Sequence, residues 1–247
     1  MNRTHILIVI VAAFGCCALV FSPVLFTGKL LAIGDGFNET LPAFFQPWRL
    51  WDANFMLGYP LYADASQAAF YPLRLLHFVP DGFNLYIISS FAIAGAALFG
   101  YLTDLIGDRV ASFAGTVSFV FGGFMISHLG HPMIDHPTAW TLVALWTLGR
   151  YRRSRHAIWL AGTAIAIALS LSSGQPQVVL FSIVILTAHS IFAELPRLIQ
   201  RPSWAGAVAA AAPFAAIALG LGLGAVTSSS IRSSCQGFRR FGVSPSK

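Results

Sequence analysis

Asp35 and Glu39 stand four residues apart in the stretch GDGFNE, shortly after a long apolar run that ends at Phe26. A carboxylate can take the proton from a hydroxyl as its oxygen attacks an electrophilic carbon, so both are candidates for general-base chemistry. Gly34 and Gly36 permit a tight turn around Asp35 and a close approach by a ligand. The same residues suit a helix cap, with Asp35 or Asn38 capping a helix that starts near Thr40. Spacing alone leaves both readings open.

Further along, LGYPLYADASQAAFYPLRLL sets Asp64 and Gln67 among aromatic residues, with Tyr71 and Arg74 following. Aromatic rings there could contact a sugar while Arg74 pairs with a phosphate. An interfacial helix whose Arg74 snorkels toward lipid head groups fits equally well. The stretch HLGHPMIDHP carries His128, His131, Asp135 and His136, all metal-ligating types. Their spacing matches no closed zinc pattern, and Pro132 and Pro137 interrupt any shared helical face. The expectation is a polar turn lining a cavity, with His131 toward a ligand and no metal site. In SGQPQ, Gln175 and Gln177 flank Pro176 and offer donors and acceptors to a ligand, although a plain helical hairpin needs none. No P-loop, GxSxG motif or paired CxxC is present, which leaves ATP hydrolysis and serine hydrolase chemistry without support.

The elements that must position these residues are apolar. The 247-residue chain is 56% hydrophobic and 10% charged, with a mean hydropathy of +0.72. Soluble domains carry roughly 25% charged residues, so the composition is that of an integral membrane protein. A net charge of +6 does not indicate nucleic-acid binding, because the basic residues cluster beside apolar runs, as in RYRRSRH at 150–156. Cys16 and Cys17 lie within an apolar run and Cys235 stands alone, so no disulfide framework is expected.

The first run, 6–26, spans 21 residues. At about 1.5 Å per residue that is long enough to cross the hydrocarbon, and it reads as an uncleaved span rather than a signal peptide. Further runs lie near 84–103, 110–129, 137–149, 157–173, 178–193 and 205–226. Placing Arg109, the arginines of 150–155, Arg197 and Arg201 in the cytoplasm gives seven spans with a cytoplasmic N-terminus. The predicted fold is thus an all-α integral membrane protein of about seven transmembrane helices. Its long first extracytoplasmic loop, 27–83, holds five of the nine acidic residues, and its prolines and aromatics predict short interfacial helices. Residues 1–226 form one polytopic domain. The segment 227–247 reads as a polar basic tail, either disordered or the product of a truncation.

The GD after the first span, the GYPLYAD…AAFYPLRLL loop and the later GQPQ turn together resemble the bacterial YfhO membrane-protein family over roughly residues 5–226. That family is similar to the GT-C class of integral-membrane glycosyltransferases and has many more spans, so the chain resembles its N-terminal part. The resemblance implies transfer of a sugar from a polyprenyl-phosphate donor to a cell-envelope acceptor on the outer face of the bacterial inner membrane. Asp35 matches the acidic residue of the first outer loop that serves the chemistry, with Glu39 beside it. Asp64, Gln67, Tyr71, Arg74, His131, Gln175 and Gln177 would line the substrate site. The partners expected are the lipid-linked sugar and membrane lipids, with no nucleic acid. No cofactor is expected, a divalent cation being the one that such chemistry could use. A transporter or flippase-like protein, or a non-catalytic fragment, is the alternative.

The topology has a direct check. Single cysteines introduced at Ser66 and Ser154 in a cysteine-free background should react oppositely with an impermeant thiol reagent on intact cells, Ser66→Cys being labelled. Labelling of both would overturn the seven-span arrangement.

Overall fold

The computed structural model describes residues 3–45, 58, 67–200 and 202–240, so Asp64 lies outside the described residues. Those residues form helices and turns, with no strand among them. Helix α1 (Arg3–Val20) stops three residues before Pro23, which cannot continue the backbone ladder. The expected apolar run 6–26 is therefore helical only in its first part. After it come a π-helical turn, Gly36–Thr40, and the short α2, Leu41–Phe45. A 3-10 helix, Pro72–Phe78, leads into α3 (Gly82–Ile106).

Helix α3 ends on Gly107, whose φ of 82° is the left-handed conformation that glycine adopts without strain. Asp108 then caps α4 (Arg109–Val120), its Oδ1 accepting from the N–H groups of Val110 and Ala111 at 2.7 and 2.9 Å. The apolar run 110–129 breaks after Val120 and resumes as α5, Gly123–Ser127. The remaining helices are α6 (Pro132–Ser154), α7 (Ala157–Ser172), α8 (Pro176–Gln200) and α9 (Trp204–Arg240). Pro132 and Pro176 each open a helix, where the missing N–H costs nothing. Helix α9 continues past residue 226, where the sequence reading set a separate polar tail; residues 241–247 lie outside the described residues.

Among the described residues, four segments are long and apolar enough to cross a membrane: Gly82–Ile106, Arg109–Ser127, Pro176–Gln200 and Trp204–Ala225. The apolar Ala157–Ser172 and Val9–Val20 are shorter. The protein is thus an all-helical, multi-pass membrane protein. Leu180, Phe181, Val184 and Phe192 on α8, and Val110 and Phe113 on α4, face outward as lipid-exposed side chains would.

Helix α3 packs against α1, α4 and α6, while α6 also packs against α7 and α8. Between these helices small polar side chains close the gaps. Thr141 and Ser182 hydrogen-bond at 2.5 Å and Thr147 and Thr163 at 2.8 Å, joining α6 to α8 and to α7. Gly100 lets Trp146 lie on the α3 backbone, because a Cβ there would sit 2.5 Å from the indole. Gly15 in α1 has nothing within 4 Å of the corresponding position.

These two glycines should therefore respond differently to alanine. Gly100→Ala overpacks the α3–α6 contact and should destabilise the protein by about 1–3 kcal/mol. Gly15→Ala should be neutral or stabilising by up to roughly 1 kcal/mol, since it removes only backbone freedom. Thermal unfolding in detergent measures both, and equal midpoints would contradict the packing.

Candidate functional site

The site is built where the chain leaving α1 meets the turn before α6. Phe26 N–H donates to Asp81 Oδ2 at 2.9 Å and Leu31 N–H to Asn84 Oδ1 at 2.9 Å. Asn84 Nδ2 in turn donates to Lys29 O and Asp81 Oδ1, at 2.8 and 2.7 Å. These bonds fix residues 26–31 across the start of α3, and the chain then reaches Gly34, whose φ is +57°. At Gly36 two backbones touch. A Cβ on Gly36 would lie 3.0 Å from Gly130 Cα, and one on Gly130 would lie 2.1 Å from Ile33 O. Only glycine at 130 allows this approach, and a side chain at 36 would force the Gly130 backbone to give by a few tenths of an ångström.

The approach sets Asp35 beside His131, with Asp35 Oδ2 3.0 Å from His131 Nε2. Asp35 stays mostly open to solvent, its side chain 59% exposed against 34% for His131. Although Asp35 precedes the π-helical turn, its side chain makes no capping hydrogen bond. The capping role is therefore not the one it plays. His131 Nδ1 is buried without a partner among the described residues.

Glu39, Gln67 and Arg74 line a small recess next to this pair, together with Phe44, Tyr86 and Met133. Only about 20 Å³ of it is open, room for a single water. Arg74 is 7% exposed and braces the loop, its guanidinium donating to the carbonyls of Gln67 and Ala43 and lying over the Phe44 ring at 5.6 Å. Burial holds its pKa below the ordinary arginine value. Its Nε has no partner among the described residues.

Tyr71, grouped by sequence with the ligand-facing residues, is 2% exposed. Its hydroxyl accepts from Trp140 Nε1 at 2.8 Å and bonds His136 Nδ1 at 2.9 Å, which seats the loop on α6. Burial raises the Tyr71 pKa well above the usual phenol value. Asp135, in the first turn of α6 ahead of the apolar stretch 137–149, is 1% exposed with both carboxylate oxygens unpaired among the described residues.

Gln175 enters through its backbone. Pro137 has no N–H to give to the Met133 carbonyl one turn earlier, and Gln175 N–H donates to that carbonyl instead, at 3.0 Å. Gly174 permits the contact, since a Cβ there would lie 2.4 Å from Met133 O. Among the described residues the Gln175 amide reaches only Met133 Sδ, at 3.9 Å, and Gln177 is exposed in the first turn of α8.

Asp35, Glu39, Gln67, Arg74, His131 and Gln175 thus gather at one end of the bundle, while Tyr71 is buried beneath them. The His128 and His131 rings are 6.0 Å apart, and among the described residues no three His, Cys, Asp or Glu side chains are arranged to hold a metal. Sequence reasoning missed Asp81, Asn84 and Gly130. The first two look like an ordinary helix start in PDGFN, and nothing local marks a glycine that meets a distant backbone. Comparison with known protein families, curated proteins and solved structures finds no match to this chain.

Gly130 gives a test of the site's assembly. In a cysteine-free background, Asp35→Cys and His131→Cys should be joined efficiently by a short bifunctional thiol reagent. Adding Gly130→Ala should lower that yield several-fold, as read by mass spectrometry of the joined peptides. An unchanged yield would mean that the glycine contact does not set the pair.

Proposed function

We propose that this chain is the N-terminal part of a GT-C-like membrane glycosyltransferase, as its resemblance to the YfhO family implies. In this reading seven spans carry it through the bacterial inner membrane with a cytoplasmic N-terminus, and the Asp35 end faces outward. The observation that carries the reading is the exposed Asp35 carboxylate held by His131. A general base needs both access to its substrate and a fixed orientation.

In the proposed reaction the acceptor hydroxyl oxygen attacks the anomeric carbon of a polyprenyl-phosphate sugar. Its proton passes to Asp35, and the bond from that carbon to the phosphate oxygen breaks with the electron pair leaving on the lipid phosphate. The phosphate needs charge stabilisation more than a proton. Arg74 stands in the same loop layer, its buried Nε without a hydrogen-bond partner among the described residues, although its other donors serve the loop. Glu39, exposed one turn after Asp35, and the half-buried Gln67 would contact the sugar or acceptor from the rim of the recess, which itself has room only for a water.

One observation favours the transporter reading. Asp135 is a buried carboxyl group without a partner among the described residues, and such groups inside membrane bundles often belong to ion pathways.

Asp35→Asn separates the two. The amide can still accept from His131, so the fold should hold, but it cannot act as a base. Transfer from polyprenyl-phosphate sugars, measured in membranes at matched abundance, should fall by about 10²–10⁴-fold. Glu39→Gln should cost less, because Glu39 lacks the histidine partner. Full transfer activity in Asp35→Asn would end the enzymatic proposal, and loss of solute uptake in Asp135→Asn alone would favour transport.

A further inference from the structure

At the far end of the bundle from Asp35, two carboxylates serve five arginines. Asp104 pairs with Arg150 at 3.3 Å and Arg153 at 3.4 Å, and also accepts from Trp146 Nε1 at 3.1 Å. Glu194, with a side chain only 5% exposed, pairs with Arg155 at 2.9 Å, Arg197 at 3.5 Å and Arg152 at 3.7 Å. Five guanidinium charges against two carboxylates leave a surplus of three. Charges of one sign held this close repel one another, and a surface that only marked membrane orientation could spread them apart.

Among these residues lies a cavity of about 200 Å³. Arg152, Arg153, Arg197 and His189 supply its basic wall, Trp146 lies on the apolar side, and the Asp104 carboxylate also reaches it. Arg152 Nε, whose nearest anionic neighbour is Glu194 at 3.7 Å, beyond hydrogen-bond distance, and His189 Nε2 are buried here without a hydrogen-bond partner among the described residues. Buried polar groups are rarely left unmatched, and a nearby anion would take hydrogen bonds from the Arg152 guanidinium and from His189 in the tautomer protonated at Nε2, and would offset the surplus charge.

We propose that this cavity binds a phosphate group. Arg152 and His189 would hydrogen-bond its oxygens while Arg153 and Arg197 balance its charge. A guanidinium matches the geometry of phosphate oxygens, and basic pockets between membrane helices suit phosphate head groups. The phosphate comes either from a phospholipid head group or from a soluble phosphate ion.

The test uses the full chain, purified in detergent. The double variant Arg152→Gln, Arg153→Gln leaves Asp104 with Arg150 and Glu194 with Arg155 and Arg197, so no buried carboxylate is orphaned. His189→Leu removes a donor without touching any of these ion pairs, and serves if the double variant misfolds. Arg109→Gln removes a cation near the same end but outside the cavity. One arm counts lipids retained by native mass spectrometry after exposure to vesicles of equal parts phosphatidylglycerol and phosphatidylcholine. The other reads thermal stabilisation by inorganic phosphate against chloride at matched ionic strength.

The wild type and Arg109→Gln should bind alike in at least one arm, while the double variant and His189→Leu bind about tenfold more weakly, the scale of a lost charge-assisted hydrogen bond. Preference for phosphatidylglycerol identifies a lipid source, and a response to phosphate alone identifies a soluble one. Equal retention and equal stabilisation across all four proteins would overturn the site.

Discussion

Asn84 is fully buried, and three of its four hydrogen-bonding positions are used on the chain that leaves α1 and on Asp81. With Asp81 it holds residues 26–31 against the first turn of α3. Besides that clasp, the segment from Phe26 to Gly34 is anchored by the burial of Leu31 in the core, with Ala32 packed beside it. Buried polar groups are worth most when fully matched, because the unmatched alternative carries the whole desolvation cost. The position of Asp35, and hence its pairing with His131, follows from this clasp and from the touching backbones at Gly36 and Gly130.

Helix α6 carries the second constraint. Pro137 releases the Met133 carbonyl, which in an apolar surrounding must find another donor, and the turn before α8 supplies Gln175 N–H. The Pro137 carbonyl is itself matched, by the Thr141 and Ser170 hydroxyls at 2.8 and 3.3 Å. A proline that would weaken an isolated helix thus joins α6, α7 and α8 into one unit. The turn beginning at Gly174 is held at the same end as His131 for that reason.

The two ends of the bundle are chemically unlike. One gathers an exposed carboxylate, histidines and a buried arginine bound to backbone carbonyls; the other gathers arginines around Asp104 and Glu194. Between them the helices meet through alanine, glycine, serine and threonine, whose small side chains let backbones approach closely. Gly220 and Gly224 of α9 do this against α7, where a Cβ at Gly220 would lie 2.6 Å from Ala164 O.

The sequence by itself determined the membrane class and the all-helical fold, because long apolar runs in lipid can satisfy their backbone only as helices. Three helix starts have a local cause, Pro132, Pro176 and Asp108 each acting on its own first turn, although the sequence reading took Pro132 only as an interruption. It singled out Asp35 and His131, but separately and with a cap as an equal reading for Asp35. Only the tertiary structure decided that they pair, because 96 residues separate them and the contact depends on two glycines meeting. The same holds for Tyr71, Arg74 and Gln175. Their residue types suggested ligand contacts, but which partner each satisfies depends on the neighbours that folding brings, and those turned out to be Trp140 and His136, the carbonyls of Gln67 and Ala43, and the carbonyl that Pro137 left free.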